Sequence, residues 1–212
     1  MKATGIIRRI DDLGRIVIPK EIRKTMHIRE SDPLEIFTER DGDIILKKYS
    51  PIGELGNNAK LYAESIAAQI PHTICICDQD CVIAAAGPNA KKLIGKLLDE
   101  KAEEALIDRK HILMDREKED FFPLILDFPE VFRYVCLSTI IAESEAVGFV
   151  CILSIEDELD DQEFKIAKIA SDFLGKQLEA YVKSEIQSHK TAVHFTFFFM
   201  IHIYYDSIII FY

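Results

Sequence analysis

Three turn signals, Asp11-Asp12-Leu13-Gly14, Pro19 and Arg40-Asp41-Gly42, cut the first 49 residues into short segments. Between them, alternation predicts strands over Thr4–Ile10, Arg15–Ile18, Leu34–Glu39 and Asp43–Tyr49. Asp-Gly is a strong hairpin signal for the last pair. Pro19 opens a helix of about two turns, because its fixed φ and missing N–H suit the first helical position. Four short strands and one short helix in so few residues bury little surface. This unit is therefore expected to complete its core with a second copy of itself.

Tyr49-Ser50-Pro51-Ile52-Gly53 reads as a linker, and the chain beyond it has a different grammar. Residues 54–69 carry apolar groups at helical spacing (Leu55, Ala59, Tyr62, Ile66, with Ile70 beyond). Strands come next at Thr73–Cys77 and Val82–Ala86, and Gly87-Pro88 ends that hairpin. Residues 89–109 read as helical and charged, whereas 111–135 holds apolar patches without a period. Tyr134–Ala142 and Val147–Ile155 are β-branched strands. A long helix is expected over 162–187, capped by Asp160 or Asp161. The order implies an α+β class with an antiparallel sheet.

Charge is divided as sharply as pattern. The chain carries a net −10, yet residues 1–29 hold eight Lys/Arg against three Asp/Glu, a local +5. On a helical wheel Lys20, Arg23, Lys24 and His27 fall on one side, with Ile22 and Met26 opposite and expected to face inward. Arg8, Arg9 and Arg15 add charge from the strands. Arginine suits bidentate contacts to phosphate and to guanine edges. A basic head on an acidic body points to a polyanion partner, although solvated charge runs are common.

The segments MKATGIIRRIDDLGRIVIPKEIRK and PLEIFTERDGDIILKKYSP resemble the DNA-binding domain of the AbrB family of bacterial transition-state regulators. The turn DDLGR, the segment IVIPKEIR and the ILKKY hairpin keep the family's order and spacing over residues 1–51. Over about 1–185 the chain resembles sporulation regulators built on that domain. The resemblance implies a dimeric swapped-hairpin β-barrel over 1–51 and a GAF-like antiparallel sheet with flanking helices over 52–187. It implies contacts to double-stranded DNA from Arg8, Arg9, Arg15, Arg23 and Lys24, to which the wheel adds Lys20. The family commonly has Arg at the place of Lys24, so a phosphate contact is the expectation there. A homotetramer through the GAF-like domain and an unidentified small-molecule ligand are further implications, as is a cytoplasmic, nucleoid-associated location.

Other chemistry is thin. Cys75, Cys77, Cys81, Cys136 and Cys151 match no standard zinc spacing and read as reduced, apolar packing. The first residues, MKATGIIRR, lack the apolar core of a signal peptide. No Gly-rich phosphate loop, catalytic Ser/His/Asp order or metal-binding His pair stands out, so no cofactor, metal or enzymatic activity is expected. Two alternatives stand beside the regulator: an antitoxin with a DNA-binding barrel, and a GAF-type thiol enzyme that needs exposed, low-pKa cysteines.

The final segment, 188–212, stands apart. From Thr191 onward, sixteen of 22 residues are apolar and none is Lys or Arg. Three readings are open for it: a membrane anchor, a strand-forming extension, or a non-native extension such as a reading-frame change would produce.

Overall fold

The computed structural model describes residues 6–30, 32–40, 42–126, 128 and 132–208. The chain divides into two compact units, 1–49 and 50–212.

In the first unit a turn at residues 11–14 leads through an extended segment to helix α1 (Lys20–Thr25). A hairpin of β1 (Leu34–Thr38) and β2 (Ile44–Lys48) comes next, paired from Leu34↔Lys48 to Thr38↔Ile44. Gly42, at φ 86°, supplies the left-handed residue its turn requires, and its N–H bonds to the Glu39 carbonyl. Of the expected strands, 34–39 and 43–49 form within a residue or so at either end. Residues 6–10 and 15–18 are extended but form no strand, and Thr4 and Gly5 lie outside the described residues. A strand needs a ladder partner, and among the described residues the single chain supplies only the bond from Asp11 N–H to the Arg15 carbonyl (3.0 Å).

α1 ends in a Schellman motif. His27, at φ 50°, follows the C-cap; the Ile28 N–H returns to Arg23 O (2.8 Å) and the His27 N–H reaches Lys24 O (3.4 Å). The expected burial of Ile22 and Met26 is not found. Ile22 is half-buried and Met26 is 53% exposed. Among the described residues the helix's apolar side is only partly covered, and Pro19 is the one described residue of the unit that is buried.

The second unit opens with α2 (Pro51–Glu54), where a linker was expected. Ser50 caps it, its Oγ accepting the Gly53 N–H at 3.1 Å, and Pro51 takes the first helical position. The turn exists because Ile52 is wholly buried in this unit's core. α3 (Asn57–Ala67) leads to β3 (Thr73–Cys77) and β4 (Val82–Ala86). Residues 89–109 form two helices, α4 (Ala90–Leu93) and α5 (Glu100–Ile107), rather than one. Between them Gly95, at φ 78°, and a bridge from Leu97 to Cys81 interrupt the helix. β5 (His111–Asp115), β6 (Tyr134–Ala142) and β7 (Glu145–Ser154) complete an antiparallel sheet ordered β4-β3-β7-β6-β5.

Both faces of that sheet are covered, which is why its strands read as continuous apolar runs. One face (Ile74, Ile76, Cys136, Ile140, Val150, Ile152) packs with α3 and α6 (Asp161–Ile208). The other (Cys75, Cys77, Val135, Leu137, Phe149, Cys151) packs with α4, α5 and Phe121, Phe122, Leu124, Ile125, Phe128 and Phe132 of the β5–β6 connection. Two glycines mark close approaches. A Cβ on Gly148 of β7 would lie 2.1 Å from the Cys77 carbonyl oxygen, and one on Gly175 of α6 would lie 2.1 Å from that of Ile141. α6 runs past its expected end near 187: the backbone of 191–208 continues it as helix rather than strand, and residues 209–212 lie outside the described residues. Among the described residues no helix is long and apolar enough to cross a membrane.

Candidate nucleic-acid interface

The six candidate residues are all exposed and occupy three consecutive pieces of the first unit. Arg8 and Arg9 lie on the extended 6–10 segment, Arg15 follows the 11–14 turn, and Lys20, Arg23 and Lys24 lie on α1.

The turn is organised by one carboxylate. Asp11 Oδ1 accepts the N–H groups of Leu13 (3.0 Å) and Arg15 (2.8 Å), and Oδ2 accepts Arg15 Nε at 2.7 Å. Gly14, at φ 77°, returns its N–H to the Asp11 carbonyl. These bonds from Arg15, backbone first and guanidinium second, hold the Asp11 carboxyl below its ordinary range. Arg15 is therefore clasped at its base, while its side chain is 70% exposed. The charge count over residues 1–29 includes Asp11 but does not reveal its pairing with Arg15. The signal was an Asx-turn aspartate four residues before an arginine.

α1 is held at its far end by β2. Lys48 Nζ donates to the His27 carbonyl (3.1 Å) and pairs with Asp32 at 2.9 Å. Asp32 Oδ2 also accepts the Arg29 N–H at 2.7 Å. Burial pushes the Asp32 carboxyl up, but the Arg29 N–H and Lys48 outweigh it and the net shift is downward. Among the described residues, no carboxylate pairs with Arg8, Arg9, Lys20, Arg23 or Lys24. Among the described residues these five cationic side chains thus stand in solvent without an internal counter-ion.

The same unit leaves apolar groups uncovered. Ile7 is 89% and Val17 73% exposed, and Ile36, Ile44 and Leu46 line one face of the β1–β2 hairpin in solvent. Surface apolar residues scattered singly mean little, but a contiguous face marks an interface.

The thiols offer no second site. Cys75, Cys77 and Cys151 cluster on one buried face of the sheet. Burial, then Cys77, pushes the Cys75 thiol far up, and the Cys151 contact followed by burial does so for Cys77. Burial and the nearby Asp78 carboxylate push Cys81 up to about 12, and burial with Glu163 pushes Cys136 up to about 12.

Comparisons with known proteins agree with this division. Residues 54–179 match the family described as stage V sporulation protein T C-terminal, transcription factor. Residues 7–54 match antidote-toxin recognition MazE, bacterial antitoxin. Stage V sporulation protein T of Bacillus subtilis (strain 168) is 44% identical over 179 residues, covering 84% of this chain and 99% of that protein. The transition state regulatory protein AbrB of the same organism is 59% identical over 51 residues, which is 24% of this chain and 52% of AbrB. Among solved structures, the N-domain of the transcription factor abrB is 57% identical, covering 24% of this chain and 96% of that one, with a TM-score of 0.22. The GAF-B domain of DevS from Mycobacterium smegmatis is 11% identical, covering 62% and 97%, with a TM-score of 0.49.

Proposed function

The chain belongs to the stage V sporulation protein T family of transcription factors, and from that premise we propose that it is a DNA-binding regulator of sporulation genes. One observation carries the reading: five exposed Lys/Arg side chains without a counter-ion among the described residues, and Arg15 beside them, on a net acidic chain. Arg8, Arg9, Arg15, Lys20, Arg23 and Lys24 are the DNA contacts, within a DNA-binding domain of 1–51.

A second copy of the first unit covers the apolar face of Ile36, Ile44 and Leu46 and supplies ladder partners for 6–10 and 15–18. The product is a swapped-hairpin barrel that doubles every basic residue. The second domain, 52–187, is a GAF-like module for assembly or sensing. The exposed apolar side chains of Ile169 (69% exposed) and Phe173 on α6 support its pairing into a tetramer. Residues 188–212 stand as an extension outside both domains. As a DNA-bound transcription factor the protein is cytoplasmic and nucleoid-associated.

Short turns and a two-turn helix, rather than a long recognition helix, favour reading DNA shape and flexibility over a strict base code. The test is duplex binding by fluorescence anisotropy as salt is raised. With about six to ten phosphates neutralised, affinity falls ~10³–10⁵ between about 50 and 200 mM salt. Affinity that is indifferent to salt refutes the interface.

The antitoxin reading draws support from the match over residues 7–54. It predicts co-purification of a small toxin, and a toxin recovered with the chain would replace the regulator reading. A thiol enzyme needs a thiolate near neutral pH. Cys75, Cys77, Cys136 and Cys151 are buried, and the shifts at all five cysteines are upward. Native protein should resist a thiol reagent at pH ~7.5 and react fully once unfolded.

A further inference from the structure

A cavity of ≈ 530 Å³ lies on the sheet face opposite α6, beneath the connection between β5 and β6. That volume falls in the range of small-molecule sites, roughly 300–1,000 Å³. Its apolar wall includes Phe121, Leu124, Phe128 and Phe132, and among the described residues its charged groups are Arg116 and Asp99. Phe128 and Phe132 stack with ring centroids 5.7 Å apart and planes 5° from parallel.

Residues 124–126 of the wall are fastened to residues 97–99. Asp99 N–H donates to Leu124 O (3.0 Å), Leu126 N–H to Leu97 O (2.9 Å), and Leu98 bridges Ile125. Asp99 is occupied structurally: it caps α5, its Oδ1 accepting the Lys101 N–H at 3.0 Å. Arg116 is different. Its backbone N–H is fixed to Arg133 O (2.9 Å). The acids on either side are engaged elsewhere: Glu117 pairs with Arg133 at 2.9 Å, and Asp115 Oδ1 accepts the Glu117 N–H at 3.1 Å. Among the described residues no carboxylate pairs with the Arg116 guanidinium.

An apolar, aromatic-walled cavity with an exposed guanidinium that pairs with no carboxylate among the described residues fits an amphiphilic anion. We infer that this cavity binds a small organic carboxylate with an aromatic body, its ring against Phe128 and Phe132 and its carboxylate on Arg116. The planar fork of arginine matches the two carboxylate oxygens, and aromatic walls favour a flat apolar partner. This goes beyond the DNA-binding reading and stands without it, because the site lies wholly within the second unit.

The test uses the full chain and two matched probes, 3-phenylpropanoate and its uncharged amide, titrated calorimetrically. The carboxylate is expected to bind about tenfold or more tightly than the amide. Arg116→Gln should remove that preference with the circular dichroism unchanged. Lys118→Gln, which removes a nearby cation that does not line the cavity, should leave it intact. Aromatic NMR signals of Phe128 and Phe132 should shift on titration, so that a poorly folded variant does not decide the outcome alone. Equal binding of the two probes, a preference that survives Arg116→Gln, or no shift of the Phe signals at millimolar probe overturns the assignment. Failure of DNA binding leaves this result untouched, and failure here leaves the DNA interface untouched.

Discussion

Arg15 and Asp11 show how one residue can be both presented and restrained. Asp11 accepts two backbone N–H bonds that build the turn and one from the Arg15 guanidinium. The clasp aims Arg15 but also neutralises part of its field at a distance of 2.7 Å. Asp11→Asn keeps an oxygen for the backbone donors while removing the negative charge. DNA affinity should then rise a few-fold at low salt and converge on the parent value at high salt, because exposed charges are screened. Arg15→Ala should weaken binding and lower the salt slope by about 1, the signature of a lost phosphate contact. Anisotropy titrations at several salt concentrations read both. If Asp11→Asn instead weakens binding at every salt, the ion pair is needed to aim Arg15. The pH dependence has a definite sign. The folded-state pKa of Asp11 is lowered, so the clasp is fully formed above the ordinary carboxylate range and opens only as pH falls through the folded value.

At the scale of elements, two contacts decide how tightly pieces dock. α6 crosses β6 at Gly175, where a Cβ would meet the Ile141 carbonyl oxygen at 2.1 Å. That atom is backbone and cannot swing aside, so Gly175→Ala must push the helix off the sheet. A loss of about 1–3 kcal/mol is expected, although alanine is the better helix former. Thermal or denaturant unfolding measures it, and unchanged stability would mean that the helix and sheet separate without penalty. In the first unit, Asp32 ties the residues after α1 to β2 through Lys48 and the Arg29 N–H. Its folded pKa is lowered, so its stabilisation is present above the unfolded pKa and is lost as pH falls through the folded one. Asp32→Asn should therefore destabilise the protein at pH ~7 and match the parent once pH has fallen below the folded-state value of Asp32. A stability difference that persists in acid would assign the loss to packing instead of charge.

The whole molecule explains which parts were legible in its sequence. β3, β4 and β6 could be read to the residue, because strands covered on both faces are uninterrupted β-branched and apolar runs. β5 could not: it is an edge strand, mostly half-covered or exposed, and its His111-Ile112-Leu113-Met114-Asp115 takes its partner from β6. The cavity was invisible for a related reason, since its wall is an irregular connection held by backbone bonds to residues 97–99. Basic residues could be counted, but the Asp11 clasp depends on an Asx turn rather than on composition. The first unit was legible in outline, but its apolar residues stay exposed within the single chain. Ile36 is 65% exposed and faces its cross-strand partner Leu46, with Ile44 beside them. If a second copy covers that face, Ile36→Asp buries a charge at the interface, which is strongly unfavourable. Assembly through the first unit should then be lost, reducing a tetramer to the dimer that the second unit can still hold. DNA affinity should fall with it, since half of the basic surface departs. Arg15→Ala should lower affinity at unchanged mass, so light scattering and anisotropy on the two variants separate an assembly residue from a contact residue. If Ile36→Asp keeps both its mass and its affinity, the hairpin face is solvent-facing in the working protein and the interleaved barrel is wrong.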